Sequence, residues 1–119
     1  MSVRIGIGFS GWPFLRLKPD YLSEYVERAE ALGVDSIWLS DRIVSPVLNM
    51  ESIVALSFIS ARTKKIKFGT SVLALPLRNP TVLAKQIATL DFLSGGRVLP
   101  AFGLGTENLE EFEACESSY

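Results

Sequence analysis

Histidine is absent from this chain, and cysteine occurs once, at Cys115. The first absence removes the commonest general base and metal ligand. Together the two leave no plausible ligand set for zinc, so no metal site is expected. A lone cysteine excludes an internal disulfide and suits a reducing compartment, so a cytoplasmic location is expected. No apolar run approaches the ~20 residues that span a bilayer. After Met1-Ser2 the chain enters a strand-like run without a charged-then-apolar leader. Neither sign of charge dominates: 12 basic and 13 acidic residues are scattered along the chain and leave a net charge of −1. With no basic stripe, nucleic acid is not an expected partner, and neither is a membrane. What remains is an ordinary globular composition, 48% hydrophobic and 21% charged, in a length that allows one domain.

Strand-like runs begin near Val3, Asp35, Ile66 and Arg97, about thirty residues apart, and a helical pattern follows each. Strands are predicted over 3–9, 35–40, 66–75 and 97–104. Pro19-Asp20 opens the first helix, with Leu22, Tyr25, Val26, Ala29 and Leu32 at core spacing and Gly33 as its stop. Glu51 to Thr63 forms the second, with Ile53, Val54, Leu56, Phe58 and Ile59 as its core stripe. Asn79-Pro80 reads as a cap followed by a proline in the first turn of a third helix, which ends at Gly95-Gly96. A short fourth helix is predicted around Leu109 to Cys115. Alternating βα units mean an α/β protein with a parallel sheet. Periodicity leaves two architectures open: a small doubly wound domain, or part of a (β/α)8 barrel, which usually needs ~250 residues.

The stretch GIGFSG, Gly6 to Gly11, spells the G-x-G-x-x-G of dinucleotide-binding turns. That motif works only after a strand and at the start of a helix. Here Gly6 and Gly8 lie inside the strand, and helical periodicity resumes only near Pro19. The match is coincidental; glycines within a strand instead admit a bulky neighbour or a close ligand.

From Ile37 onward the sequence resembles the luciferase-like monooxygenase superfamily, closest to its branch dependent on the deazaflavin coenzyme F-420. The stretches that carry the resemblance are GVDSIWLSDRI (Gly33–Ile43), KIKFGTSVLALPLRNPTVLAKQIATLDFLSGGRV (Lys65–Val98) and GLGTENLEEFEA (Gly103–Ala114). It implies that residues 1–119 are the N-terminal half, about four βα units, of a (β/α)8 TIM barrel. It also implies truncation relative to the family, whose members continue after EFEAC into further βα units. Ligands in such barrels bind at the C-terminal ends of the strands. The resemblance therefore directs attention to Phe9–Gly11, Ser40–Arg42, Ser71–Leu75 and Gly103–Glu107.

By this resemblance the cofactor is coenzyme F-420 or FMN, and the activity is hydride transfer or oxygen activation on a small-molecule substrate. Asp41-Arg42 stands where the deazaflavin branch commonly has Asp-His. Arg42 stays protonated, so it can donate hydrogen bonds or offset a ring's charge but cannot shuttle a proton; alternatively the two residues form a pair closing the strand end. The Ser71–Val72 bond matches a non-proline cis peptide found behind the ring in several members, and the residue-based alternative is a plain buried strand. The candidate cofactor contacts are thus Asp41, Ser71, Val72, Leu73, Ala74, Gly105 and Thr106. Candidate catalytic residues are Asp41, Arg42 and Glu107, with Thr106 alternatively a helix cap and Glu107 a first-turn acid. The second functional reading is an inert half-barrel, or a subunit that needs a partner chain. Its exposed barrel edges favour self-association, so a homo-oligomer is expected.

Overall fold

Four parallel strands stand side by side in chain order. The computed structural model describes residues 3–117; the terminal residues Met1, Ser2, Ser118 and Tyr119 lie outside the described residues. Strands β1 (Gly6–Phe9), β2 (Ser36–Leu39), β3 (Lys67–Thr70) and β5 (Val98–Leu99) form one sheet in the order β1-β2-β3-β5. A doubly wound domain would place its first strand between later ones, so this sequential order excludes that architecture. Between the strands run α1 (Pro19–Ala31), α2 (Ser52–Arg62) and α3 (Pro80–Ser94), and α4 (Leu109–Ala114) follows the last.

The third and fourth predicted strands are each broken in two. Beyond β3 the chain makes a cis bond at Ser71–Val72 and continues as β4 (Leu73–Ala74). Beyond β5, Pro100 has no amide hydrogen to offer a ladder, and β6 (Phe102–Gly103) follows. β4 and β6 pair as a separate two-stranded parallel sheet. The Thr70 hydroxyl bridges the break, donating to the Ala101 carbonyl at 2.9 Å and accepting from the Ala101 amide at 3.3 Å.

The cis bond lies where the resemblance placed one. A three-residue 3-10 turn, Leu75–Leu77, leads to α3. The Asn79 side chain caps that helix by accepting from the Thr81 and Val82 amides, and Gly95 ends it with φ of 72°. Glu51 caps α2 through the Val54 amide at 2.8 Å.

Alternation along the strands separates two faces. Ile37, Leu39 and Phe68 turn toward the helices and pack with Leu22, Val26 and Ala29 of α1 and Ala55, Leu56 and Ile59 of α2. Two corrections concern the helices: Leu32, expected at core spacing at the end of α1, is 68% exposed, and in α2 Val54 and Phe58, expected in its core stripe, are 69% and 37% exposed. The latter two border an apolar outer groove of about 390 Å³ with Trp12, Leu17 and Leu48.

The opposite sheet face carries Gly6, Gly8, Trp38 and Gly69. A Cβ on Gly6 would stand 2.8 Å from Trp38 Nε1, and one on Gly8 would stand 3.0 Å from the Trp38 carbonyl oxygen. The glycines of the opening run thus make room for a tryptophan rather than a pyrophosphate. At Gly69 a Cβ would fall 1.9 Å from the Leu99 carbonyl oxygen, which is backbone and cannot swing aside. Gly69→Ala should therefore cost about 2–3 kcal/mol by overpacking, read as a lower midpoint in urea unfolding.

Opposite the ligand end, Glu30 ties α1 to the turn before β3. Its carboxylate accepts from the amides of Lys64 (2.8 and 3.0 Å), Lys65 (2.6 Å) and Ile66 (2.9 Å). Burial alone would raise its pKa; the three backbone amides and the charge of Arg97 outweigh that and hold it below the ordinary value. A carboxyl whose folded pKa is depressed stabilises the fold above its unfolded pKa and loses that contribution as pH falls through the folded value. Glu30→Gln should cost about 1 kcal/mol at neutral pH, an amount that allows for solvent screening. The gap between the two proteins should close as pH falls below the ordinary carboxylate range, measured by thermal unfolding across pH.

Candidate functional site

The C-terminal ends of the strands converge on one mouth. The Ser40 amide donates to the Phe9 carbonyl at 3.3 Å, and the Ser71 amide to the Leu39 carbonyl at 2.7 Å, which joins the ends of β1, β2 and β3. Two adjoining concavities open there. One, of about 310 Å³, is lined by Gly8, Phe9, Ser10, Trp38, Ser40 and Ser71. The other, of about 570 Å³, shares Ser10 and Ser40 and reaches Arg42, Asn49, Thr106 and Asn108. Both fall in the size range of small-molecule sites. A larger outer groove of about 740 Å³ lies between α2 and α3 and takes in Lys64 and Arg97, on the far side of the sheet from this mouth.

Asp41 follows β2 and is buried, its side chain fully enclosed. Its Oδ1 accepts from the Ser52 hydroxyl and from Arg78 Nη2, both at 2.6 Å, and its Oδ2 accepts from the Ala74 amide at 3.0 Å. One carboxylate therefore joins the end of β2, the start of α2, β4 and the loop before α3. Arg78 also places Nη1 2.6 Å from Glu51 Oε1. Burial would lower the Arg78 pKa, but the hydrogen bonds and charges of Asp41 and Glu51 overcome it and raise the value above the ordinary one. The guanidinium is charged at every working pH.

Arg42 takes a different route. Its Nη1 donates to the Thr106 hydroxyl and lies 3.4 Å from Glu111 Oε2, while the side chain stays 36% exposed. Glu111 is 1% exposed and is not among the candidates that the sequence alone offers. Its Oε1 accepts from the Ile43 amide at 2.5 Å and the Val44 amide at 3.1 Å. Helix α4 thus reaches back to fix the loop after β2, and Thr106 serves that link. The cap of α4 is Asn108, not Thr106.

The remaining candidates divide by burial. Ser71 and Val72 are exposed at the mouth; Gly105 (φ 88°), Thr106 and Glu107 are exposed after β6. Leu73 and Ala74 turn inward instead: Leu73 packs with Ile53 and Leu83, and Ala74 with Leu77 and Phe112. Ser40 lines both concavities, but its hydroxyl is shielded from solvent and has no hydrogen-bond partner among the described residues. Sequence reasoning had named the segment but not this atom.

Sequential parallel strands, helices on one face and a polar mouth at the strand ends define the N-terminal half of a (β/α)8 barrel. The family model described as luciferase-like monooxygenase matches residues 5–114, and the chain belongs to that family. The F420-dependent glucose-6-phosphate dehydrogenase of Amycolatopsis mediterranei is 38% identical over 96 residues, covering 73% of this chain and 28% of that protein. The coenzyme F420-dependent tetrahydromethanopterin reductase of Methanopyrus kandleri superposes with a TM-score of 0.75 at 28% identity, covering 98% of this chain and 30% of that one. The oxygenating constituent of 3,6-diketocamphane monooxygenase from Pseudomonas putida, a structure in complex with FMN, shares the fold at a TM-score of 0.80 and 23% identity. It covers 94% of this chain and 32% of its own. The chain thus spans 28% to 32% of the length of these relatives.

Proposed function

We propose that this chain carries one side of a flavin- or deazaflavin-binding site in an oxidoreductase or monooxygenase of the luciferase-like family, using coenzyme F-420 or FMN. The observation that carries this reading is the mouth itself: a concavity at the strand C-termini walled by Gly8, Trp38, Ser40 and Ser71, adjoining one that holds Arg42 and Thr106. The residues present therefore fit a planar ring with polar edges.

Ser40, Ser71 and Val72 would meet the ring, while Thr106 and Arg42 would face its polar side. When bound, a reduced flavin or deazaflavin supplies the hydride or the electron pair for oxygen activation. The protein's part is orientation and charge. Arg42 donates and holds no exchangeable base, so any proton must be moved by another group, for which exposed Glu107 is the candidate. Asp41 acts one step back: by binding the Ala74 amide and Arg78 it fixes the backbone on which Ser71 and Val72 sit.

The mouth in this chain has one wall. A cofactor that normally buries most of its surface would leave much of it wet, so binding should be weak, on the order of tens to hundreds of micromolar. Turnover should be absent. Titration of residues 1–119 with oxidised and reduced FMN and coenzyme F-420, followed by fluorescence and sedimentation, tests this. No saturable binding of either cofactor would remove the cofactor reading. A monodisperse monomer that binds at low micromolar concentration and oxidises the reduced cofactor would show that the half-barrel is a working unit.

The second reading, a half-barrel that is inert or requires a partner chain, has its own support. Beside the edge strands, Val3 and Ile5 ahead of β1 are 86% and 61% exposed, and Phe102 in β6 and Leu104 just after it are 50% and 80% exposed. Each edge also offers unpaired backbone groups. Self-association through these edges should appear in sedimentation as dimers or larger species that dissociate on dilution.

A further inference from the structure

The larger of the two concavities has an unusual charge balance. The described residues that line it include serines at 10, 40 and 45, two asparagines, Thr106 and one ionised group, Arg42, and none of them is acidic. Glu111, which neutralises part of that charge, lies buried behind the loop and spends Oε1 on the Ile43 and Val44 amides. Its other oxygen and the Thr106 hydroxyl both meet Arg42 at the same nitrogen, Nη1. Both contacts fall on that one nitrogen, so neither engages Nε or Nη2 of Arg42. A guanidinium clamped at one corner, with two adjacent donors left over, presents the fork that carboxylate and phosphate groups accept.

We infer that Arg42, positioned by Glu111 and Thr106, is a specificity-determining residue that binds an anionic oxygen group, carboxylate or phosphate, on the substrate. The inference rests on the proposed function only in calling that ligand the substrate; the anion site itself is independent of a cofactor. Neutral polar side chains that line the same concavity, among them Thr106 and the Asn49 and Asn108 amides, extend the same preference for acceptor oxygens. The neighbouring acid Glu107 is exposed and does not line the concavity.

The test is nuclear magnetic resonance on residues 1–119. The chain is titrated with sodium phosphate and with sodium acetate at constant ionic strength, using sodium chloride and neutral methyl acetate as controls. The amides of Ile43, Val44 and Thr106 and the Arg42 Nε–H should shift saturably with at least one of the two anions and with neither control. The anion that saturates at the lower concentration names the source. Arg42→Gln should weaken the response about tenfold or more, and Thr106→Val, which keeps the charge but loosens its seat, should weaken it less. Should Arg42→Gln unfold the chain, Thr106→Val decides. Shifts no larger than with chloride, or a response undiminished in the variants, would overturn the inference. Titration with FMN and coenzyme F-420 in parallel keeps the two claims apart. Anion binding without cofactor binding supports the site and defeats the cofactor reading; the reverse defeats the site alone.

Discussion

Replacing Arg97 with methionine should destabilise the domain by about 3–5 kcal/mol, enough to unfold most of a marginal protein at room temperature. Arg97 stands at the start of β5, on the sheet end away from the mouth. Its Nε donates to the Ser94 carbonyl at 2.8 Å. Nη1 donates to the Thr63 hydroxyl at 2.9 Å and the Ile66 carbonyl at 3.0 Å, and Nη2 to the Ser60 and Thr63 carbonyls at 2.9 and 3.2 Å. The guanidinium also lies 5.0 Å from the centroid of the Phe68 ring, a cation–π distance. The Ser60, Thr63 and Ser94 carbonyls are the orphan acceptors that α2 and α3 leave at their C-terminal ends, and the Ile66 carbonyl belongs to the turn before β3. Methionine keeps the aliphatic stem but abandons every one of them. Urea unfolding measures the loss. Arg97→Lys should recover less than half, because an ammonium cannot span acceptors on two helices.

The second large effect concerns Asp41. Asp41→Ala should cost about 3–5 kcal/mol, because it leaves the Arg78 guanidinium and the Ser52 hydroxyl buried without their shared acceptor. A double variant, Asp41→Leu with Arg78→Met, should regain a substantial part of that loss, since a buried pair replaced by apolar groups is often close to neutral. Recovery of stability without recovery of cofactor binding would show that Asp41 matters to the mouth through the backbone of β4. The comparison is read from unfolding midpoints of the single and double variants, with FMN titration of each folded protein.

Much of the fold was legible because its signals are local. Pro19, Asn79-Pro80 and Gly95 mark helix ends through their own backbone chemistry, and they do so in the structure. The strand positions followed from the thirty-residue period, but the breaks within the last two did not. Pro100 was a visible cause for one of them, whereas the other, at Ser71–Val72, was reached only through family resemblance. Val54 and Phe58 misled for a simple reason: α2 is apolar around most of its circumference, so spacing alone could not choose its buried side.

At the site, the segments were legible and the partnerships were not. Asp41 and Arg42 are adjacent in sequence, yet one turns into the core to meet Arg78 while the other turns to Thr106 and Glu111, 64 and 69 residues away. No periodicity relates these positions. Glu111 had a weak local signal: it adjoins Phe112, whose side chain is buried beneath Ala74, so it lies near the inward side of α4. The exposed Glu107 is the more conspicuous acid in the sequence, because it reads as a carboxylate at a helix N-terminus.

The central claim is that a flavin or deazaflavin ring sits at the strand C-termini and not in the outer apolar groove. The direct measurement is a set of nuclear Overhauser contacts between the ring methyl protons of FMN and assigned side chains of residues 1–119. Contacts to the methyl groups of Val72 and Thr106 are the expected result, reduced in Arg78→Met, which loosens the support of β4. Contacts to Trp12, Leu48 and Phe58, with none to Val72 or Thr106, would contradict the account and assign the ligand to the groove between α1 and α2.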